Sequence, residues 1–250
     1  SNLFQMSGTS MATPAASALA IIVRQFFRDG FYPNLKKNSN NQITPSSSLI
    51  RSILVNSAVK PNNEDDDNNE KSGPDFYVGF GIPCLESVLG FRDSGLRIVD
   101  NVEMKSQSHH VYHIILDNNS CELKVTMNYL DPPLNPENEA IFFADLDLFV
   151  KSPNGKWFVG NGVDKIADSD SFSNTERVII EKEEIPLNGG DFEIHIVSSH
   201  YPIDSQKISY SIVINGPFEQ TVSQKNSFFL QYKNASEADC IKDCSGAFYI

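Results

Sequence analysis

The chain has 250 residues, with 20 Lys and Arg against 32 Asp and Glu and a formal net charge of −12. An excess of acid on that scale repels nucleic-acid phosphates and anionic membrane surfaces, so neither is an expected partner. With 40% hydrophobic and 10% aromatic residues the composition is that of a globular chain, which excludes disorder as its general state.

The sequence begins Ser1-Asn2-Leu3-Phe4, without an initiator Met or a charged-then-apolar leader, and reads as a fragment or processed piece. The Ala-rich run over residues 14–27 predicts a helix that is apolar almost all round and therefore buried, with Pro14 in its first turn and Gly30 beyond its end. Its apolar stretch, residues 15–23, is interrupted by Ser17 and followed by Arg24. That falls short of the roughly 20 residues that cross a bilayer, so no membrane span is expected. A polar stretch leads to Pro45-Ser46-Ser47-Ser48, a capping region, and to a second helix over residues 49–55. The two helices are expected to pack on a common sheet. Residues 60–75 form an acidic low-complexity loop without the ligand spacing of a calcium loop, and solvation is its expected state.

From Arg97 the texture changes to short β-rich runs at residues 111–116, 123–129, 145–151, 157–159, 177–180, 192–197 and 208–214. Pro153-Asn154-Gly155 and Asn188-Gly189-Gly190 supply turns, and the pattern predicts a β-sandwich or jelly roll with its own core. Charge divides with the texture: residues 1–95 carry 8 basic and 9 acidic groups, residues 96–250 carry 12 and 23. The expected organisation is an α/β unit over residues 1–95, an all-β jelly-roll-like sandwich over residues 96–216, and a tail or truncated further module over residues 217–250 that contains Phe228-Phe229-Leu230. Cys84, Cys121, Cys240 and Cys244 lack zinc or redox spacing and read as buried or ordinary disulfide cysteines.

The chemistry concentrates in Met6-Ser7-Gly8-Thr9-Ser10-Met11-Ala12-Thr13-Pro14. Small residues place Ser10 at a helix N-terminus, where unpaired N–H groups and the positive dipole end stabilise an anion. A phosphate-binding turn is the rival reading of Gly-Thr-Ser, but such a loop wants a Lys beside the Ser and more Gly. Gly8-Thr9-Ser10-Met11-Ala12-Thr13-Pro14 resembles the nucleophile motif of subtilisin-like serine proteases, the subtilases. Val78-Gly79-Phe80-Gly81-Ile82-Pro83 is similar to the Gly-aromatic-Gly segment that closes their catalytic domain, with Pro83 where Asn or Asp is commoner. The resemblance covers residues 1 to about 92 and identifies them with the C-terminal part of that domain.

Asp145-Leu146-Asp147-Leu148, Ser152-Pro153-Asn154-Gly155, Val159-Gly160-Asn161 and Asn174-Thr175-Glu176 resemble the C-terminal β-barrel of large subtilases of the alkaline-protease type. Barrels of that kind bind Ca²⁺, which makes Asp145 and Asp147 candidate ligands of a structural calcium or, equally, groups that fix a loop by hydrogen bonds. Ala144 departs from the Asn that often precedes the first Asp. No cofactor is implied for the chemistry itself.

The resemblance implies a serine-type endopeptidase acting on protein or peptide substrates through an acyl-enzyme on Ser10, with no other catalytic residue in this chain. The His, the Asp and the oxyanion Asn belong upstream in the family's order, so the chain alone is expected to be inactive. His109, His110, His113, His195 and His200 all fall in the predicted sandwich and read as surface or turn histidines. Leu3 to Met6 hint at an apolar rim of the specificity pocket. The alternative is a pseudoprotease or binding scaffold whose sandwich recognises a protein or glycan, with Trp157 and Phe158 as a stacking surface or, more ordinarily, as core. The sequons Asn118-Asn119-Ser120 and Asn234-Ala235-Ser236, with the family's usual habit, point to the secretory pathway or the cell exterior, where Cys84 and Cys121 are a candidate disulfide pair and a downstream domain or membrane module is an expected fusion partner.

Overall fold

The computed structural model describes residues 5–61, 72–75, 77–90, 94–132, 144–162, 173–198, 207–218 and 233–234. Most of the acidic loop, His200, Phe228-Phe229-Leu230, Cys240 and Cys244 lie outside the described residues.

Helix α1 runs from Thr9–Arg28 and α2 from Ser47–Asn56. The first starts five residues earlier than the Pro14 expected from sequence, because Gly8 takes the N-cap position and Thr9 to Thr13 continue into the helix. Pro14 therefore sits in the second turn, not the first. The second helix begins as its serines predict: Ser46 is the N-cap, and its Oγ accepts from the Leu49 N–H at 3.0 Å.

Beyond a two-stranded ladder of β1 (Ala58–Val59) and β2 (Ile82–Pro83), the strands form two antiparallel sheets. They are β3 (Gly95–Lys105), β4 (His109–Leu116), β5 (Leu123–Tyr129), β6 (Leu146–Lys151), β7 (Trp157–Val159), β8 (Thr175–Ile180), β9 (Gly190–Ser198), β10 (Lys207–Gly216) and β11 (Lys233–Asn234). One sheet has the order β3-β10-β5-β8, the other β11-β4-β9-β6-β7. Every expected run is a strand, and the β6–β7 hairpin turns at Asn154-Gly155, where Gly155 has φ 81°.

Strand β3 escaped the sequence reading because it is interrupted. Asn101 has φ 55°, and the β3–β10 register shifts between Tyr210 and Ile212 opposite this point. The bulge is useful: it brings Asp100 to the start of α2, where Ser46 Oγ and Ser211 Oγ both donate to its carboxylate.

The alternation of each strand sends one set of side chains into a core shared by both sheets, among them Met127, Leu148, Val178, Phe192, Ile194, Ile196, Tyr210 and Ile212. A second cluster joins α1 and α2 (Val23, Phe27, Leu49, Ile53) to the far face of the four-stranded sheet (Leu96, Ile98, Val213). It draws on both sides of residue 95. Strand β5 is consequently buried at all seven positions, with Thr126 beneath α2 and bonded to Asn56 Nδ2 at 3.1 Å.

Helix α1 departs from expectation in burial. Of its 20 residues only Val23, Phe26 and Phe27 are buried, while Ile21 and Ile22 are 66% and 50% exposed. Its earlier start also makes it long and apolar enough to cross a membrane by length and composition alone, which the shorter run read from sequence was not.

Candidate active site

Ser10 lies in the first turn of α1 and is exposed. Gly8 has φ 143°, a conformation that only Gly adopts readily, and it turns the chain into the helix with no side chain over the end. Its carbonyl accepts from the N–H groups of Met11 and Ala12 at 3.0 and 3.1 Å. The N–H groups of Thr9 and Ser10 precede the ladder and have no acceptor within the helix. No acidic residue occupies the first turn, so the positive end of the helix is left for an external anion. Thr13 Oγ1 donates back to the Thr9 carbonyl at 2.9 Å and Ser17 Oγ to the Thr13 carbonyl at 3.0 Å, which supports the backbone around Pro14. Met6 is 68% exposed beside this turn; Leu3 and Phe4 lie outside the described residues.

The segment Val78 to Gly81 is held tightly. Asp75 Oδ1 accepts from the Tyr77 and Val78 N–H groups, both at 2.7 Å, and Asp75 and Gly79 form a bridge. Gly81 passes so close to Val59 that an added Cβ would lie 2.4 Å from the Val59 carbonyl oxygen.

Sequence reasoning missed Arg177. It is 1% exposed on β8 and donates from Nε to the carbonyl of Ser72 (3.0 Å), from Nη1 to Val55 (3.0 Å) and Ala58 (3.1 Å), and from Nη2 to Phe80 (3.2 Å). Burial pushes its pKa down to about 10, so it remains a cation at neutral pH. The signal was present: a lone Arg followed by Val178-Ile179-Ile180 in a core strand needs partners.

None of the described histidines bonds to Ser10. His109, His110 and His113 are on β4 and His195 is on β9, as expected for the strand-rich part. They are not simple surface groups, however, since His110 and His195 are 4% and 1% exposed. His113 does fit that description, paired with Asp191 at 3.1 Å on the exposed face.

No group of three or more His, Cys, Asp or Glu among the described residues is placed to hold a metal ion. Asp147 is buried on β6, Asp145 is half-buried just before it, and Glu176 Oε2 accepts from the Leu148 N–H at 2.8 Å. Gly160 makes room for this carboxylate, because a Cβ there would lie 2.0 Å from Glu176 Oε2. Asn161 Oδ1 accepts from the Arg177 N–H at 3.2 Å and its Nδ2 donates to the Thr175 carbonyl at 3.1 Å. The Gly160-Asn161 and Asn174-Thr175-Glu176 motifs thus meet as a hydrogen-bonded loop clamp. Cys84 and Cys121 do not form the disulfide considered from sequence.

Residues 1–81 match the model of the subtilase family. The chain is subtilase-like. It is 26% identical over 232 residues to the serine protease/ABC transporter B family protein tagA of Dictyostelium discoideum, and 40% identical over 256 residues to tagB of the same organism and description. These alignments take in 86% and 83% of the chain but only 12% and 13% of the relatives, so the chain spans about an eighth of their length. Among solved structures, the infectious bursal disease virus VP2 subviral particle matches over 58% of this chain and 37% of its own, with TM-score 0.30 and 13% identity. The T13 particle of that virus matches with TM-score 0.32 and 12% identity over 58% of this chain and 35% of its own. Likeness that low assigns neither fold nor function. The subtilase segment, residues 1–81, thus holds Ser10, both helices and the Gly-Phe-Gly turn, and Arg177 reaches it from the strand-rich part.

Proposed function

We propose that Ser10 is the nucleophile of a serine-type endopeptidase whose His, Asp and oxyanion Asn come from sequence upstream of this chain. The observation that carries this reading is the exposed Ser10 in the first turn of a helix whose capping Gly8 and uncharged start leave N–H groups to an anion. Ser10 Oγ attacks the scissile carbonyl while the upstream His accepts its proton. The negative oxygen that develops is held by the Ser10 N–H and the Asn side chain, and water then releases the acyl group. Without the base the hydroxyl is a poor nucleophile, so residues 1–250 alone are inactive.

On the same reading residues 1–95 complete the catalytic domain, residues 96–216 are a jelly-roll-like sandwich that braces it, and residues 217–250 lead into a further module. The relatives' names join a serine protease to an ABC transporter, which supports a larger protein with a membrane module outside this chain. Protein or peptide substrates in the secretory pathway or outside the cell fit that arrangement. The loop clamp of Glu176, Asn161 and Gly160 stabilises the sandwich, beside Asp145 and Asp147, the candidate ligands of a structural calcium.

The test is Ser10→Ala in the full-length protein. Burst-phase acylation by a peptide ester disappears while the circular dichroism spectrum is unchanged, because the side chain is exposed. A burst that survives means that another residue is the nucleophile.

A further inference from the structure

The chain carries two Asn-x-Ser patterns, and Asn118-Asn119-Ser120 lies wholly among the described residues. It belongs to the turn that leads from β4 of the five-stranded sheet to β5 of the four-stranded one. The backbone there is fixed from several directions. The Asp117 N–H donates to the Pro217 carbonyl at 2.9 Å, and Asn119 Nδ2 donates to the Lys182 carbonyl at 3.4 Å. Gly189 lies so close that an added Cβ would stand 2.9 Å from the Asn118 nitrogen of the main chain.

Asn118 itself is exposed, and its Oδ1 accepts from the Ser120 N–H at 2.7 Å, a side chain bonding to its own backbone two residues on. A backbone N–H only donates, so the atom facing it is the amide oxygen and the nitrogen is the one turned away. Nδ2 makes no hydrogen bond among the described residues. The fold thus uses the oxygen of this amide and leaves its nitrogen to solvent. In Asn119, next in the chain, the nitrogen is the atom engaged.

We propose that Asn118 Nδ2 carries an N-linked glycan. The inference rests on the reading that puts this part of the chain in the secretory pathway, where a lipid-diphosphate-linked oligosaccharide is the donor. Nδ2 bonds to the anomeric carbon of that sugar as the bond from the carbon to the diphosphate oxygen breaks. The diphosphate leaves with the electron pair, and one Nδ2 proton passes to a base of the transferase. Ser120, exposed beside Asn118, supplies the hydroxyl that makes the triplet an acceptor. A glycan is bulky and solvated, so the folded chain has to keep the attachment nitrogen clear. This turn does so, since its anchors are Asp117, Asn119 and Gly189. Asn234, the other acceptor by pattern, is a ladder position of β11 in register with His110, and its Ser236 lies outside the described residues.

The test uses full-length protein purified from eukaryotic cells and treated with peptide-N-glycosidase in heavy-oxygen water. Mass spectrometry should find Asn118 converted to labelled Asp, with no label when the enzyme is omitted. Ser120→Ala and Asn118→Asp each abolish the glycan at this position and raise gel mobility by one glycan. Both keep the turn: the first retains the Ser120 N–H, and in the second a carboxylate oxygen accepts in place of the amide oxygen. An unlabelled Asn118 overturns the proposal, whether or not Asn234 is labelled. Protease protection in sealed microsomes then tells which premise failed. A protected chain has met the transferase and been refused at Asn118, whereas a chain cut from the cytosolic side takes the secretory reading down as well. Neither result bears on Ser10, whose acylation is read separately.

Discussion

The guanidinium of Arg177 lies 5.1 Å over the ring of Phe80 and donates to that residue's own carbonyl at 3.2 Å. A side chain from the strand-rich part thereby grips the Gly-Phe-Gly turn of the subtilase segment from two directions. Arg suits the task because its planar fork directs several donors at once from a weakly hydrated cation. Four backbone carbonyls from different points of the segment end on this one group.

Replacing it should be costly. Arg177→Met leaves buried carbonyls unpaired, and each such group costs about 1–3 kcal/mol. The variant is expected to lose about 3 kcal/mol or more in urea denaturation, and Arg177→Lys to recover only part of it, since an ammonium cannot span the same acceptors. A loss below about 1 kcal/mol for Arg177→Met contradicts the role assigned to the clamp.

The shared core makes a second demand. Ile98 and Val213 of the four-stranded sheet pack against Leu49 and Ile53 of α2, and Thr126 bonds Asn56. Residues 96–250 expressed without the helices should expose this face, bind a hydrophobic dye and unfold at lower denaturant than the same residues in the whole chain. Equal stability would show the strand-rich part to be independent of α2.

Strand positions were legible where alternation was clean, as in β5 and β7, which the sequence reading placed to the residue. The serine cap of α2 was legible for a similarly local reason. Strand β3 was hidden by the bulge at Asn101, beside which Asp100 accepts from Ser46 and Ser211, residues far from it in sequence. Burial of α1 was misread because an apolar composition says what a helix can bury, not what stands opposite it. Ser10 was singled out by seven contiguous residues, whereas Arg177 takes its meaning from carbonyls at Val55, Ala58, Ser72 and Phe80 that only the fold brings together.

Acid should weaken the protein through its buried histidines. For His110 and His195 the folded pKa is depressed to about 4 from an ordinary 6.5. The unfolded chain then binds more protons across this window, so the stability they contribute is complete above pH ~6.5 and falls as pH drops toward 4, by on the order of 3 kcal/mol each. Glu193 acts in the same direction: burial raises its pKa, but the bonds from Lys151 and His195 outweigh it and hold it low, so protonating it also costs stability. Urea midpoints measured from pH 7 to pH 4 should decline steadily, and a midpoint independent of pH contradicts this balance.

The loop clamp predicts indifference to chelators. Glu176 Oε2 accepts from the Leu148 N–H without a metal between them, so the clamp itself should keep its contribution to the melting temperature in EDTA. Gly160→Ala, by contrast, drives a methyl into the Glu176 carboxylate and should destabilise by about 1–3 kcal/mol. A calcium-dependent rise in melting temperature would restore a metal to this loop.

The central claim is that Ser10 is an activated nucleophile, and fluorophosphonate labelling of the native full-length protein tests it most directly. Mass spectrometry should find the adduct on the peptide containing Ser10, and lose it in the Ser10→Ala variant. An unlabelled Ser10 in folded, processed protein would contradict the account and leave the chain a scaffold whose sheets, not its serine, do the work.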